Sequence, residues 1–259
     1  MISILLPSRN RPNELTKMYD SALGTADNEI EVCVYIDNDD KSYNNINTDI
    51  KVITGPRITL SKAWQETYKI STGDVLMLGG DDLIFRSKGW DTALEEKRKH
   101  FKDDIAMFFF DDGFWGSKFS SHPFLTRRWI ELSGFFVPPY FVSDYNDLWI
   151  DEVATKIDRK IYIPGFLIEH MHPNFGKSKL DATHNERLQR EKVKKNNPRD
   201  IYNETKLERE NNIKILNEAK NHNTIIGSFF IIYSKLIIPF SIIRMYFLRI
   251  KYKLFKIFL

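Results

Sequence analysis

Two aspartates stand side by side in Leu78-Gly-Gly-Asp-Asp-Leu83, directly after the apolar run 74–78. Adjacent carboxylates at the end of a buried strand repel each other and are costly to desolvate. A divalent cation relieves both problems. Hard ions such as Mg²⁺ or Mn²⁺ take oxygen ligands and bridge to substrate phosphates. A plain acidic turn has the same letters, so Asp81 and Asp82 alone do not define a site. A second acidic cluster, Asp37-Asn-Asp-Asp40, ends the run 30–36. Two such clusters at strand ends of one sheet face the same crevice, where open α/β sheets bind ligands. Glu169-His-Met-His-Pro173 follows another apolar run and offers His170 and His172, one of which we expect to face the crevice. Lys177 and Lys179 come next, as partners for phosphate or as ordinary solvated lysines. Asp144 and Asp147 lie among aromatic residues. Burial raises a carboxylate pKa, which suits a general base. Helix capping by Asp144, with Asp147 in the first turn, explains the same residues without chemistry.

The elements that must position these groups follow from hydrophobic spacing. Runs at 2–6, 30–36, 51–54, 74–78, 105–110 and 161–168 read as buried strands. Helical spacing runs over 13–23, where Leu15, Met18, Tyr19 and Ala22 form the apolar stripe, and over 60–70 and 90–99. A further helix falls within 144–158. Strands alternating with helices predict an α/β fold with a mixed, mostly parallel sheet. The stretch 111–180 is otherwise irregular and rich in aromatics, proline and glycine. From 186 to 220 the chain is highly charged and helix-like, with a break near Asn196-Asn197-Pro198. We divide the chain into a catalytic-type domain at 1–185, a charged helical connector at 186–223 and a tail at 224–259.

Of the 259 residues, 42% are hydrophobic and 28% charged, enough for one substantial core. The single cysteine, Cys33, cannot form an internal disulfide and reads as a small core residue of a protein in a reducing compartment. The start of the chain has neither a basic segment nor a small-residue cleavage site, so we expect no signal peptide. The net charge of +3 hides an asymmetry. Residues 224–259 carry six basic residues and no acidic one, which leaves −3 on 1–223. An acidic body argues against nucleic acid as a partner. The tail mixes bases with Tyr246, Phe247, Tyr252, Phe255 and Phe258, a composition for a helix lying in a membrane interface. We therefore expect a cytoplasmic protein held peripherally at the membrane. Packing of the tail in the core or in a homodimer is the other reading.

The order of the motifs resembles the GT-A-fold glycosyltransferases, most closely the family 2-like group, over residues 1–185. Ile2-Ser-Ile-Leu-Leu-Pro-Ser-Arg-Asn-Arg-Pro12 looks like that family's first strand and nucleotide-binding loop. Tyr35-Ile-Asp-Asn-Asp-Asp40 resembles its second strand, and 60–74 the helix that precedes its metal-binding strand. Gly80-Asp-Asp82 falls where its Asp-x-Asp motif belongs, with Gly80 in place of the first carboxylate. The resemblance implies a nucleotide-diphosphate sugar donor, a UDP-sugar in preference, and a glycan or lipid-linked acceptor. Donor contacts fall to Pro7, Ser8, Arg9, Arg11, Asp37, Asp39, Arg57, Ser61, Asp81 and Lys177. Asp82 with His172, or else His170, would hold Mn²⁺ or Mg²⁺. Asp147, or Asp144, would be the catalytic base of an inverting transfer. The rival readings are a non-catalytic scaffold of the same fold and a sugar nucleotidyltransferase. The latter group carries a glycine-rich loop after the first strand, and 7–12 has no glycine.

Overall fold

The computed structural model describes residues 1–43, 46, 47, 49–192 and 197–221. Met1–Asn217 forms one compact unit. The tail at 224–259 lies outside the described residues. Among those described, no helix is long and apolar enough to cross a membrane.

Four strands, β1 (Ile2–Ser8), β2 (Ile30–Asp37), β3 (Lys51–Gly55) and β4 (Val75–Leu78), run parallel in the order β3-β2-β1-β4. β1, β2 and β4 are apolar along almost their whole length because both sheet faces are covered. Ile4, Leu5, Val34, Leu76 and Met77 are fully buried. Cys33 sits in the same core, where burial pushes its thiol up to about 12. Helix α1 (Pro12–Thr25) opens on a proline, whose fixed φ suits the first helical turn. It buries the expected stripe of Leu15, Met18, Tyr19 and Ala22. Helix α2 (Leu60–Ile70) starts where the Thr59 hydroxyl accepts the Lys62 N–H at 3.3 Å.

The second half is mixed. After β4 come β5 (Leu83–Phe85), α3 (Trp90–Arg98), β6 (Met107–Asp111), β7 (Phe124–Thr126), α4 (Arg127–Ser133), α5 (Asn146–Lys156) and β8 (Lys160–His170). The sheet continues from β4 as β7-β6-β8-β5. β7 is antiparallel to β4 and β6, β8 is parallel to β6, and β5 is antiparallel to β8. The sequence pattern has no counterpart for β5, β7 and α4, because three-residue strands are too short for alternation to be visible. Trp90 is fully buried, with ring centroids 4.8 Å from Phe85, 5.8 Å from Phe124 and 6.4 Å from Phe110. That aromatic cluster joins β5, β6 and β7.

Beyond β8 lie a 3₁₀ turn (Pro173–Phe175), α6 (Ala182–Glu191), α7 (Pro198–Glu204) and α8 (Lys206–Asn221). The expected break is the start of α7. The Asn197 side chain there accepts the N–H groups of Arg199 and Asp200 at 3.0 and 3.3 Å.

Near the N-terminal ends of β1, β2 and β4, Glu31 is a buried carboxylate. It accepts hydrogen bonds from Lys51 Nζ at 2.5 Å, Ser3 Oγ at 2.5 Å and the N–H groups of Thr72 and Gly73 at 2.5 and 3.0 Å. Burial opposes its charge, but these donors together hold its pKa at about 2. The folded-state value lies below the ordinary 4.5. Its stabilisation is therefore present above that value and is lost as pH falls toward 2. Glu31→Gln should destabilise the protein by about 1–3 kcal/mol at pH 7. Chemical denaturation at pH 7 and pH 3 should show the gap to wild type narrowing at the lower pH. A gap independent of pH would mean that the charge is not what the site requires.

Candidate active site

The loops after β1, β2 and β4 open at the point where the chain order reverses, with β2 on one side of β1 and β4 on the other. They line a cavity of about 870 Å³. Pro7, Ser8, Arg9 and Arg11 line it from the β1 loop, Tyr35 and Asp37 from β2, and Arg57 from the segment before α2. Leu78-Gly-Gly-Asp-Asp82 adds the end of β4. The same cavity takes in His122, Asp144, Asp147, His170 and His172.

Arg9 bridges the first two loops. One guanidinium nitrogen lies 2.9 Å from Asp37 and 2.7 Å from Asp39. Burial raises the Asp37 pKa against the pull of Arg9, whereas the hydrogen bond from Arg9 lowers that of Asp39, which is not among the lining residues. Arg57 stands 4.0 Å from Asp37 and pairs with Glu186 of α6. Planar guanidinium groups here suit phosphate or the edge of a base.

The two adjacent carboxylates are neutralised differently. Asp81 accepts the Ser8 hydroxyl at 2.6 Å and the Arg11 guanidinium at 3.0 Å. Burial raises its pKa and Arg11 works against that. Arg11 also makes a two-pronged contact with Asp181, at 2.7 and 2.9 Å, and lies 2.6 Å from His184 Nδ1. Asp181 caps α6 by accepting the His184 N–H at 2.8 Å. Burial opposes the Asp181 charge, but the Arg11 contact and that N–H hold its pKa far below the usual range.

Asp82 faces imidazoles. Its Oδ2 is 3.3 Å from His170 Nε2. Asp82, His122 and His170 each place one possible donor atom within 4.8 Å of the others. Burial opposes ionisation of Asp82, and the His170 contact holds its pKa well below the usual range nonetheless. His122 Nδ1 lies 2.9 Å from the Leu78 carbonyl, which can only accept, so Nδ1 carries the hydrogen. Burial takes the His122 pKa down to about 4, which leaves the ring neutral at pH 7. His122 Nε2 and His170 Nδ1 are buried and have no hydrogen-bond partner among the described residues. Unpaired buried nitrogens are costly. A divalent cation within the trio would give such nitrogens a partner, and an O,N,N donor set fits one.

β8 ends at His170, so the rule that residues two apart share a strand face stops before His172. His172 instead opens the 3₁₀ turn, its Nδ1 accepting the Asn174 N–H at 3.2 Å. Its ring centroid is 5.1 Å from that of His170, at the cavity wall but outside the trio. Asp147 lies in the first turn of α5. Burial pushes its pKa up to about 7, while the Leu148 N–H at 2.9 Å pulls the other way. Asp144 also lines the cavity but does not cap α5; the cap position is Tyr145, at φ 77° with no side-chain bond.

Two expected donor contacts lie elsewhere. Ser61 is buried, and its hydroxyl bonds Phe141 O at 2.8 Å and Asn146 Oδ1 at 2.9 Å, tying α2 to the start of α5. Lys177 pairs with Glu169 at 2.9 Å outside the cavity lining. No sequence motif marks His122, Asp181 or His184. His122 is a lone histidine before a proline, with no spacing motif to mark it.

Three comparisons place the chain among known proteins. No curated protein matches the chain. Among solved structures, residues 1–349 of S. aureus TarS in complex with UDP align at TM-score 0.48 and 12% identity, covering 64% of this chain and 59% of that one. Glucosyl-3-phosphoglycerate synthase from Mycobacterium tuberculosis, with Mn²⁺ and UDP-glucose, aligns at 0.49 and 15%, covering 74% and 76%. The mannosyltransferase PcManGT from Pyrobaculum calidifontis, with GDP-Man and Mn²⁺, aligns at 0.44 and 11%, covering 91% and 79%. With every one of these scores below 0.5, they carry no argument. The sequence model of the family described as Glycosyl transferase family 2 matches residues 3–150, more than half of the chain. The chain belongs to glycosyl transferase family 2 and has its GT-A-type fold.

Proposed function

We propose that the chain transfers a sugar from a nucleotide-diphosphate sugar, by preference a UDP-sugar, to a hydroxyl of a glycan or lipid-linked acceptor, with inversion. One observation carries the reading. A single cavity holds the Asp37–Arg9 pair, the Asp82 group and the part-buried Asp147. Family membership supports the donor class. Asp37, with Arg9 and Arg57 beside it, contacts the nucleobase. Asp81, fixed by Ser8 and Arg11, contacts the ribose. Asp82 and His170 hold Mn²⁺ or Mg²⁺, which supplies positive charge to offset the departing diphosphate.

Asp147 takes the proton of the acceptor hydroxyl as that oxygen attacks the anomeric carbon. The bond from this carbon to the diphosphate oxygen breaks, and its electron pair leaves with the nucleotide diphosphate. Attack opposite the leaving group inverts the anomeric centre. A base must be ionised to act, and a pKa of about 7 allows that near neutrality.

A screen of nucleotide sugars for hydrolysis or thermal stabilisation identifies the donor. With that donor, kcat/KM should rise with pH through about 7. Asp147→Asn should leave donor affinity within about twofold of wild type and lower kcat by roughly a hundredfold or more, abolishing the pH rise. If Asp144→Asn behaves this way and Asp147→Asn does not, the base is Asp144.

We also propose that residues 224–259 hold the enzyme peripherally on the cytoplasmic face of a membrane. Support comes from their six basic residues, absence of acidic ones and interleaved aromatics. Each base near an anionic surface contributes about 1 kcal/mol, and apolar side chains enter the headgroup boundary. The full chain should float with anionic liposomes, less so at high salt, and a chain ending at residue 223 should not. Equal flotation of both would remove the anchor. Loss of folding in the shorter chain would make the tail part of a core or a dimer interface instead.

A further inference from the structure

We propose that His122 is a protein ligand of the cation, standing in for the carboxylate that Gly80 lacks. The resulting face of two imidazoles and one carboxylate selects Mn²⁺ and later first-row ions over Mg²⁺. The proposal rests on the reading of Asp82 and His170 as cation ligands, and it adds a residue and an ion preference to that reading.

The ring of His122 is aimed by backbone contacts. Leu78 N–H donates to the Pro123 carbonyl at 2.9 Å, and the Leu78 carbonyl accepts from His122 Nδ1 at 2.9 Å. These two bonds lock the start of β7 against the end of β4. Ser121, one residue earlier, is held by its hydroxyl bond to Asp112 at 2.7 Å. A histidine whose Nδ1–H is fixed on a carbonyl presents a lone pair at Nε2, the usual arrangement of a metal-ligating imidazole. Here Nε2 is buried, and no described residue satisfies it. Asp82 and His170 offer their own donor atoms within 4.8 Å.

Gly80 supplies the second, independent observation. A Cβ at this position would come within 2.8 Å of Asp82 Oδ1 and 3.4 Å of His122 Cε1. The space beside residue 80 is taken up by the Asp82 carboxylate and the His122 ring. A side chain there would crowd the Asp82 carboxylate and rest against the His122 ring at ordinary contact distance, so glycine at 80 leaves the carboxylate its place beside that ring. One oxygen donor of the usual motif is thereby exchanged for a nitrogen donor. Mg²⁺ demands oxygen ligands and keeps its waters, whereas imidazole suits the transition ions. The remaining positions of the ion stay available to diphosphate oxygens.

The test uses the full chain stripped of metal, with UDP binding and thermal melting as controls for the fold. Mn²⁺ is titrated by the loss of its free EPR signal. Nitrogen couplings to bound Mn²⁺ are counted by pulsed EPR, and Mg²⁺ is added as competitor. Two variants are compared. His122→Asn keeps a donor for the Leu78 carbonyl while removing Nε2, and His122→Ala removes both. Wild type should bind Mn²⁺ with two nitrogen ligands and resist at least a hundredfold excess of Mg²⁺. Both variants should show one nitrogen, bind Mn²⁺ at least tenfold more weakly, and lose discrimination against Mg²⁺. Unchanged affinity and two nitrogens in both variants would remove His122 from the site while leaving the metal-dependent reading standing. Displacement of Mn²⁺ from wild type by equimolar Mg²⁺ would overturn the ion preference. If wild type binds UDP but no Mn²⁺, with or without UDP, both this proposal and the metal-dependent reading fail.

Discussion

Asp81 and Asp82 share one strand end with little access to water, and two bare carboxylates cannot occupy such a place together. The fold answers each with a different group. Asp81 turns to the Ser8 hydroxyl at the end of β1 and to Arg11 in the loop that follows. Asp82 turns to imidazoles that arrive from the segment just before β7 and from the end of β8. The short mixed strands of the second half are needed for this. A purely parallel sheet of the β3-β2-β1-β4 kind would bring the first answer but not the second.

The charge on Arg11 has further effects. Asp181 and His184 share it, and so the start of α6 is tied to the loop that holds Asp81. Thr183 Oγ1 donates to the Arg9 carbonyl at 3.1 Å, and Glu186 pairs with Arg57. α6 is thus fastened by the same arginines assigned to the donor. On another side, Ser61 and the Trp64 indole fix α2 to the start of α5 and to Gly79, the latter at 3.1 Å. The position of Asp147, in the first turn of α5, therefore depends on α2.

The first half of the fold could be read from the sequence because its signals are local and long. β1, β2 and α1 are uninterrupted patterns with clear ends, and the buried stripe of α1 matches its spacing residue for residue. Asp37, Asp81 and Asp82 were visible because acidic residues at the ends of apolar runs are conspicuous. His122 was hidden by the opposite circumstance. It stands beside a three-residue strand in an irregular stretch, and only the sheet order brings it next to Leu78. Which of His170 and His172 belongs to the strand depends on where β8 ends, and strand boundaries are poorly marked in sequence. Ser61 and Lys177 fall outside the cavity lining for a related reason. Hydrogen-bonding residues near a motif serve the scaffold as readily as the ligand.

The pairing of β5 with β8 sets Leu83 opposite His170, and Met171 N–H closes onto the Asp82 carbonyl at 2.8 Å. These contacts join distant parts of the chain, whereas β1 and β2 are linked through a single intervening helix. Contacts between remote segments form slowly, because the chain between them must be closed first. The cradle built from β1, β2 and α1 is therefore the piece that can assemble early, from nearby sequence. The imidazole side waits for the last strand. A chain emerging from the ribosome would have made Arg9 and its partners Asp37 and Asp39 well before His170 is synthesised, and would be unable to gather the trio until then.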